Sequence, residues 1–167
     1  MPDTLLDTYT TERGPVAQAV LANTLAQVAI MRPDPQAGAM RDLVANFLQL
    51  DDVNRLIGEM TTGLSSRYDL GSERDDVGRL IGDRTIRRDD TVVSLHELMQ
   101  DGRGVLLDAS TDGQASRLVA ASAPRIRCVA VDAGPSMLIR PDACVAWSRE
   151  ENGTDGLEEA LRRWFGP

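Results

Sequence analysis

The hydrophobic period changes once along this chain, near residue 75, and that change limits what the chain can fold into. Before it, apolar residues recur at three- and four-residue intervals; after it, they stand in short continuous blocks separated by turn residues. The first spacing lines up one face of a helix, and the second suits strands covered on both sides. The pattern predicts a first part without strands, up to about residue 65, and then a sheet of at least four strands.

The first helix is predicted from Asp3 or Thr4 toward Met31, with Gly14-Pro15 as a kink, because proline removes a donor and crowds the preceding turn. "RPDP" (32–35) ends it and starts a second, with Asp34 as cap and Pro35 in the first helical position. The second is expected to bury Met40, Leu43, Val44, Phe47 and Leu48. A third, capped by Asp51 or Asp52, is expected to bury Val53, Leu56, Ile57 and Met60. Further on, "TVVSL" (91–95) reads as a strand entering a helix through a Ser94/Glu97 capping box. "GVLLDAS" (104–110) reads as a buried strand, 112–123 as a helix and 126–133 as a second strand. A hairpin over 137–147 turns at Pro141-Asp142-Ala143, and a last helix, capped by Thr154 or Asp155, runs to Gly166. Two parallel strands joined by a crossover, then a hairpin and a helix, make an α/β layer. The expected fold class is α/β, α+β overall, with a helical segment over 1–64, a linker over 65–79 and an α/β domain over 80–167.

The formal net charge of -8 argues against nucleic acid or an anionic membrane as partner, since both attract basic surfaces. All 18 side chains counted as Lys+Arg are arginine, so no lysine Schiff base or lysine general base is available. Cys128 and Cys144 form neither a CxxC nor a zinc pattern. With no leader-like start and no apolar run near the roughly 20 residues of a membrane span, a cytoplasmic protein with reduced thiols is expected.

The second half resembles a thioredoxin fold. "VLLDAS" stands as its central strand, "RCVAVDA" as the outer parallel strand, and "PSMLIRPDACVAW" as the proline followed by the antiparallel hairpin. The loop where the resemblance would place CxxC reads "ASTDGQAS", without cysteine. In the thioredoxin strand order two strands lie between Cys128 and Cys144. At about 4.8 Å per strand they stand roughly 14 Å apart, twice the about 7 Å limit for a disulfide.

Taken whole, "LLDTYTTERGPVAQAVLANTLAQ", "GLSSRYDLG", "LHELMQDGRGVLLD", "LIRPDACVAW" and "LEEALRRWFG" resemble, in that order, the C-terminal third of the FAD-dependent aromatic-ring hydroxylases. These are class A flavoprotein monooxygenases of the polyketide hydroxylase type, and the resemblance covers nearly all 167 residues. It implies that the first helix closes a flavin domain and that a thioredoxin-like domain without cysteine chemistry follows. No GxGxxG follows a strand, and the family's other flavin motifs lie upstream of the matched region. The resemblance therefore transfers no catalytic residue and no FAD ligand to this chain; FAD belongs to the full-length family.

Three aspartates, Asp108, Asp112 and Asp132, are placed near the carboxyl ends of the parallel strands, where open α/β sheets hold ligands. They are weak ligand-binding candidates, since aspartate also forms turns there. His96 has no second ligand beside it, so no metal is expected. Trp147, Trp164 and Phe165 have the spacing of core residues.

The first helix carries apolar residues on two faces: Leu5, Tyr9, Val16 and Val20, and Leu6, Leu21, Leu25 and Val28. One face is more than this chain covers. A homodimer through that helix is expected, or a flavin-domain partner protein. The expected function is that of a non-catalytic interaction or assembly protein. One alternative is the C-terminal piece of a split or truncated FAD-dependent monooxygenase acting on phenolic or polyketide substrates; another is a small-ligand binding module.

Overall fold

The structure, a computed structural model, describes residues 4–63, 65–88, 91–150 and 152–166. The chain divides into two compact units. Among the described residues, one comprises residues 7–68, and the other residues 69–166 with residues 4–6. The division falls between Tyr68 and Asp69, within the stretch expected to be a linker.

The first unit is all helix. α1 (Thr4–Ile30) runs without interruption through Pro15, α2 spans Pro35–Phe47 and α3 spans Asp51–Thr62. Asp34 caps α2 as expected: its carboxylate accepts from the Ala37 N–H at 2.9 Å, and Pro35 opens the helix. α3 differs from expectation. Its cap position is Leu50, with no side-chain capping bond, and Asp51 and Asp52 lie inside the first turn, where acidic charge still suits the positive end of the helix dipole. Gly63, left-handed at φ 77°, ends α3, a conformation glycine adopts without strain.

The second unit holds two sheets. β1 (Thr85–Arg88) and β2 (Thr91–Ser94) pair antiparallel, and β1 is a strand that its charged sequence "TIRR" does not announce. Ser94 and Glu97 form the expected capping box on the short α4 (Leu95–Met99). β3 (Gly104–Asp108) leads through α5 (Gln114–Val119) and a 3-10 segment (Ala120–Arg125) to β4 (Ile126–Ala130). The hairpin β5 (Ser136–Ile139) and β6 (Val145–Arg149) precedes α6 (Leu157–Phe165). The larger sheet has the order β4-β3-β5-β6, with β3 parallel to β4 and antiparallel to β5. This is the thioredoxin-like arrangement, and it leaves β3 and β5 between the cysteine-bearing stretches. Both cysteines are free thiols. α6 departs from the expected caps. It starts at Gly156, which has no side chain to cap with.

Residues 78–81 run antiparallel along the outer edge of β6. Gly78 N–H donates to Val145 O at 2.9 Å, Val145 N–H to Arg79 O at 2.9 Å, and Ile81 N–H to Ala143 O at 2.8 Å. The end of the expected linker thus protects a sheet edge that would otherwise invite pairing.

The larger sheet is buried on both faces, as the unbroken apolar run of β3 requires. Leu106 and Leu138 face α5 and α6, against Val119, Leu157, Leu161, Trp164 and Phe165. Val105, Leu107 and Ile139 face the other way, against Leu95, Ile86, Val77 and Ile81. The two tryptophans and Phe165 are core residues, as their spacing predicts.

Candidate functional site

Two regions bear on function: the polar end of β3 in the second unit and the apolar surface of the first.

β3 ends at Asp108, whose residue is 2% exposed. Its carboxylate is filled from within the chain. Oδ1 accepts from Ser110 N–H at 3.0 Å and from the Ser110 hydroxyl at 2.5 Å. Oδ2 accepts from Ser116 N–H at 2.8 Å and from the Ser116 hydroxyl at 2.6 Å. Burial alone would push the Asp108 carboxyl up, but these four bonds outweigh it and hold it below the usual carboxylate range. Asp112 is exposed; it accepts from Gln114 N–H at 3.1 Å and pairs with Arg117 at 3.5 Å. Asp132 is exposed beyond the end of β4. The structure therefore gives Asp108 and Asp112 internal work in shaping the β3–α5 turn.

The start of the helix after the first parallel strand is where an α/β sheet offers backbone N–H groups to a phosphate. Here Asp108 and Asp112 occupy the N–H groups of Ser110, Ser116 and Gln114, and a second anion would meet two carboxylates. These residues do not fit the pyrophosphate of a dinucleotide such as FAD. Cys128 lies beside this cluster; burial first, and then the charge of Asp108, push its thiol up, away from the reactive thiolate. His96 is exposed, with its backbone N–H on Asp83 at 3.2 Å. Among the described residues no three His, Cys, Asp or Glu side chains group to hold a metal.

A groove of about 440 Å³ lies elsewhere in the second unit, between Leu70–Val77, β6 and α6. None of Asp108, Asp112 and Asp132 lines it. Trp147 reaches its wall and donates its indole N–H to Asp155 O at 2.8 Å. Trp164, also on the wall, has the guanidinium groups of Arg140 and Arg163 over its ring, 4.3 and 4.6 Å from the ring centre. Both tryptophans are committed to packing.

The first unit is different, because it has almost no interior. Among its described residues only Glu12, Ala37 and Tyr68 are buried. Of the residues proposed for an interface, Tyr9, Val20, Leu21, Leu25 and Val28 are exposed, Leu25 at 62% and Tyr9 at 68%. Val16 is half-buried, and the side chains of Leu5 and Leu6 lie outside the described residues. The inward faces expected of α2 and α3 are corrected here: Met40, Leu43, Phe47, Leu56, Ile57 and Met60 are all exposed, while Val44, Leu48 and Val53 are half-buried. Helical periodicity places residues on a common face, but it does not supply the surface that covers that face. Residues 14–31 contain no charged side chain, and their large apolar groups and alanines together surround the helix. A helix apolar all round is ordinarily a buried one. One motif-to-motif contact within the unit is specific: the Arg13 guanidinium lies 5.1 Å from the centre of the Tyr68 ring. Among the described residues no single helix is long and apolar enough to cross a membrane.

Residues 74–167 match the family model described as aromatic-ring hydroxylase, C-terminal. The chain belongs to this family. Among curated relatives, an anhydrotetracycline monooxygenase of Streptomyces rimosus is 36% identical over 177 residues, covering 99% of this chain and 35% of the relative. A rifampicin monooxygenase of Streptomyces venezuelae is 38% identical over 174 residues, covering 99% of this chain and 33% of the relative. The solved structure of the anhydrotetracycline hydroxylase OxyS from Streptomyces rimosus superimposes with a TM-score of 0.88 at 36% identity, over 99% of this chain and 36% of that one. The chain thus spans about a third of the length of the relatives it matches. Helical first part and thioredoxin-like second part are both within the similarity, since it extends over nearly the whole chain.

Proposed function

We propose that this chain acts as a non-catalytic interaction module of the aromatic-ring hydroxylase family, with the helical unit as its docking surface. The observation that carries this is the uncharged, largely exposed part of α1 over residues 14–30. Leaving Val20, Leu21, Leu25 and Val28 in water forgoes roughly 1.5–3 kcal/mol for each side chain that a partner could bury. Over several side chains that is comparable with the whole stability of a domain, about 5–15 kcal/mol. A contiguous apolar surface of this kind marks an interaction site.

The occupant we propose is a flavin-domain-like body of the kind that makes up the remainder of the monooxygenase relatives. A twofold pairing of two copies covers one side of each α1, whereas this helix carries large apolar residues on two faces. The homodimer is the competing occupant. In this account the chain itself binds no FAD and hydroxylates nothing, because holding and orienting a flavin needs a built site.

A second reading is favoured by the coverage, 99% of this chain against 35% of the monooxygenase relative. In it the chain supplies the last third of an FAD-dependent monooxygenase acting on phenolic or polyketide substrates. Light scattering on the purified chain, alone and mixed with a separately produced N-terminal two-thirds of such a relative, tests both. The interaction reading expects a one-to-one complex. A flavin spectrum and substrate turnover in that complex would favour the second reading. A chain that stays an 18 kDa monomer in the mixture as well as alone would remove the docking surface and with it the proposal.

A further inference from the structure

We draw no further inference here: the strongest candidate, the groove beside β6 between Leu70, Trp147 and Trp164, is lined by three arginines and three acidic residues in balance, and nothing in the structure shows which class of ligand it would take.

Discussion

The ring of Phe165 rests against the α-carbon of Gly104. A β-carbon built on Gly104 would stand 2.4 Å from Cζ of Phe165 and 3.0 Å from the Ile139 carbonyl oxygen. Gly104 opens β3 and Phe165 closes α6, so this contact locks the last helix onto the central strand. Gly104→Ala is expected to destabilise the second unit by about 1–3 kcal/mol, the usual cost of overpacking a filled core. Thermal unfolding followed by circular dichroism checks it. Pairing the change with Phe165→Leu should recover part of the loss, whereas additive losses would mean the ring is not what the new methyl meets.

Asp108 gives a second prediction. Asp108→Asn leaves fewer acceptor sites for four donors and removes a charge, so a loss of roughly 2–3 kcal/mol is expected. The sign with pH follows from the depressed folded pKa. The unfolded carboxyl titrates near the ordinary value of about 3.9, so the stabilisation is complete above that pH and is lost as pH falls below it. Urea unfolding of both proteins from pH 3 to 7 should show the gap narrowing in the acid range. A gap constant with pH would mean that the charge contributes nothing.

The same carboxylate adds to the effect of burial on Cys128. Both burial and Asp108 disfavour its thiolate, so alkylation by iodoacetamide near neutral pH should be slower than for a free cysteine. Asp108→Asn should speed it, read as residue-resolved modification by mass spectrometry with fold integrity followed in parallel. Cys144, fully buried, serves as the internal reference.

Ala143 sits in the hairpin turn at φ 66°, the one left-handed position among the described residues that is not glycine. Its N–H donates to Arg140 O at 2.9 Å, and Arg140 N–H donates to Cys144 O at 2.8 Å, so the turn is held in that shape. Ala143→Gly should therefore stabilise the protein by about 1 kcal/mol, because the left-handed penalty of a β-carbon disappears. A lower melting temperature would show that unfolded-state entropy outweighs that relief.

Much of the second unit was legible in the sequence because each of its elements is specified locally. The β3 run needs cover on both faces, Ser94 and Glu97 form a complete capping box, and the turn at Pro141-Asp142-Ala143 fixes the hairpin. β1 escaped because, among the described side chains of "TIRR", only Ile86 is buried, and the strand takes its form from pairing with β2. The cap of α6 escaped because Gly156 offers no side chain. The role of Asp108 was readable only as a strand-end carboxylate; its saturation depends on Ser110 and Ser116 folding back over it, a tertiary fact. In the first unit, helix positions and the Asp34 cap were legible. The exposure of Leu43, Phe47 and Leu56 was not, since a periodic stripe states a demand for cover and the cover does not come from these helices.

The measurement closest to the central claim is amide hydrogen exchange across residues 14–31, taken on the chain alone and then with the N-terminal two-thirds of a monooxygenase relative. A helix whose apolar sides face water opens locally at little cost, so exchange in the isolated chain should be fast while β3 and β5 stay protected. Adding the larger body should slow exchange over residues 14–31 by more than tenfold. Strong protection of that helix in an isolated monomer, unchanged by the addition, would contradict the account.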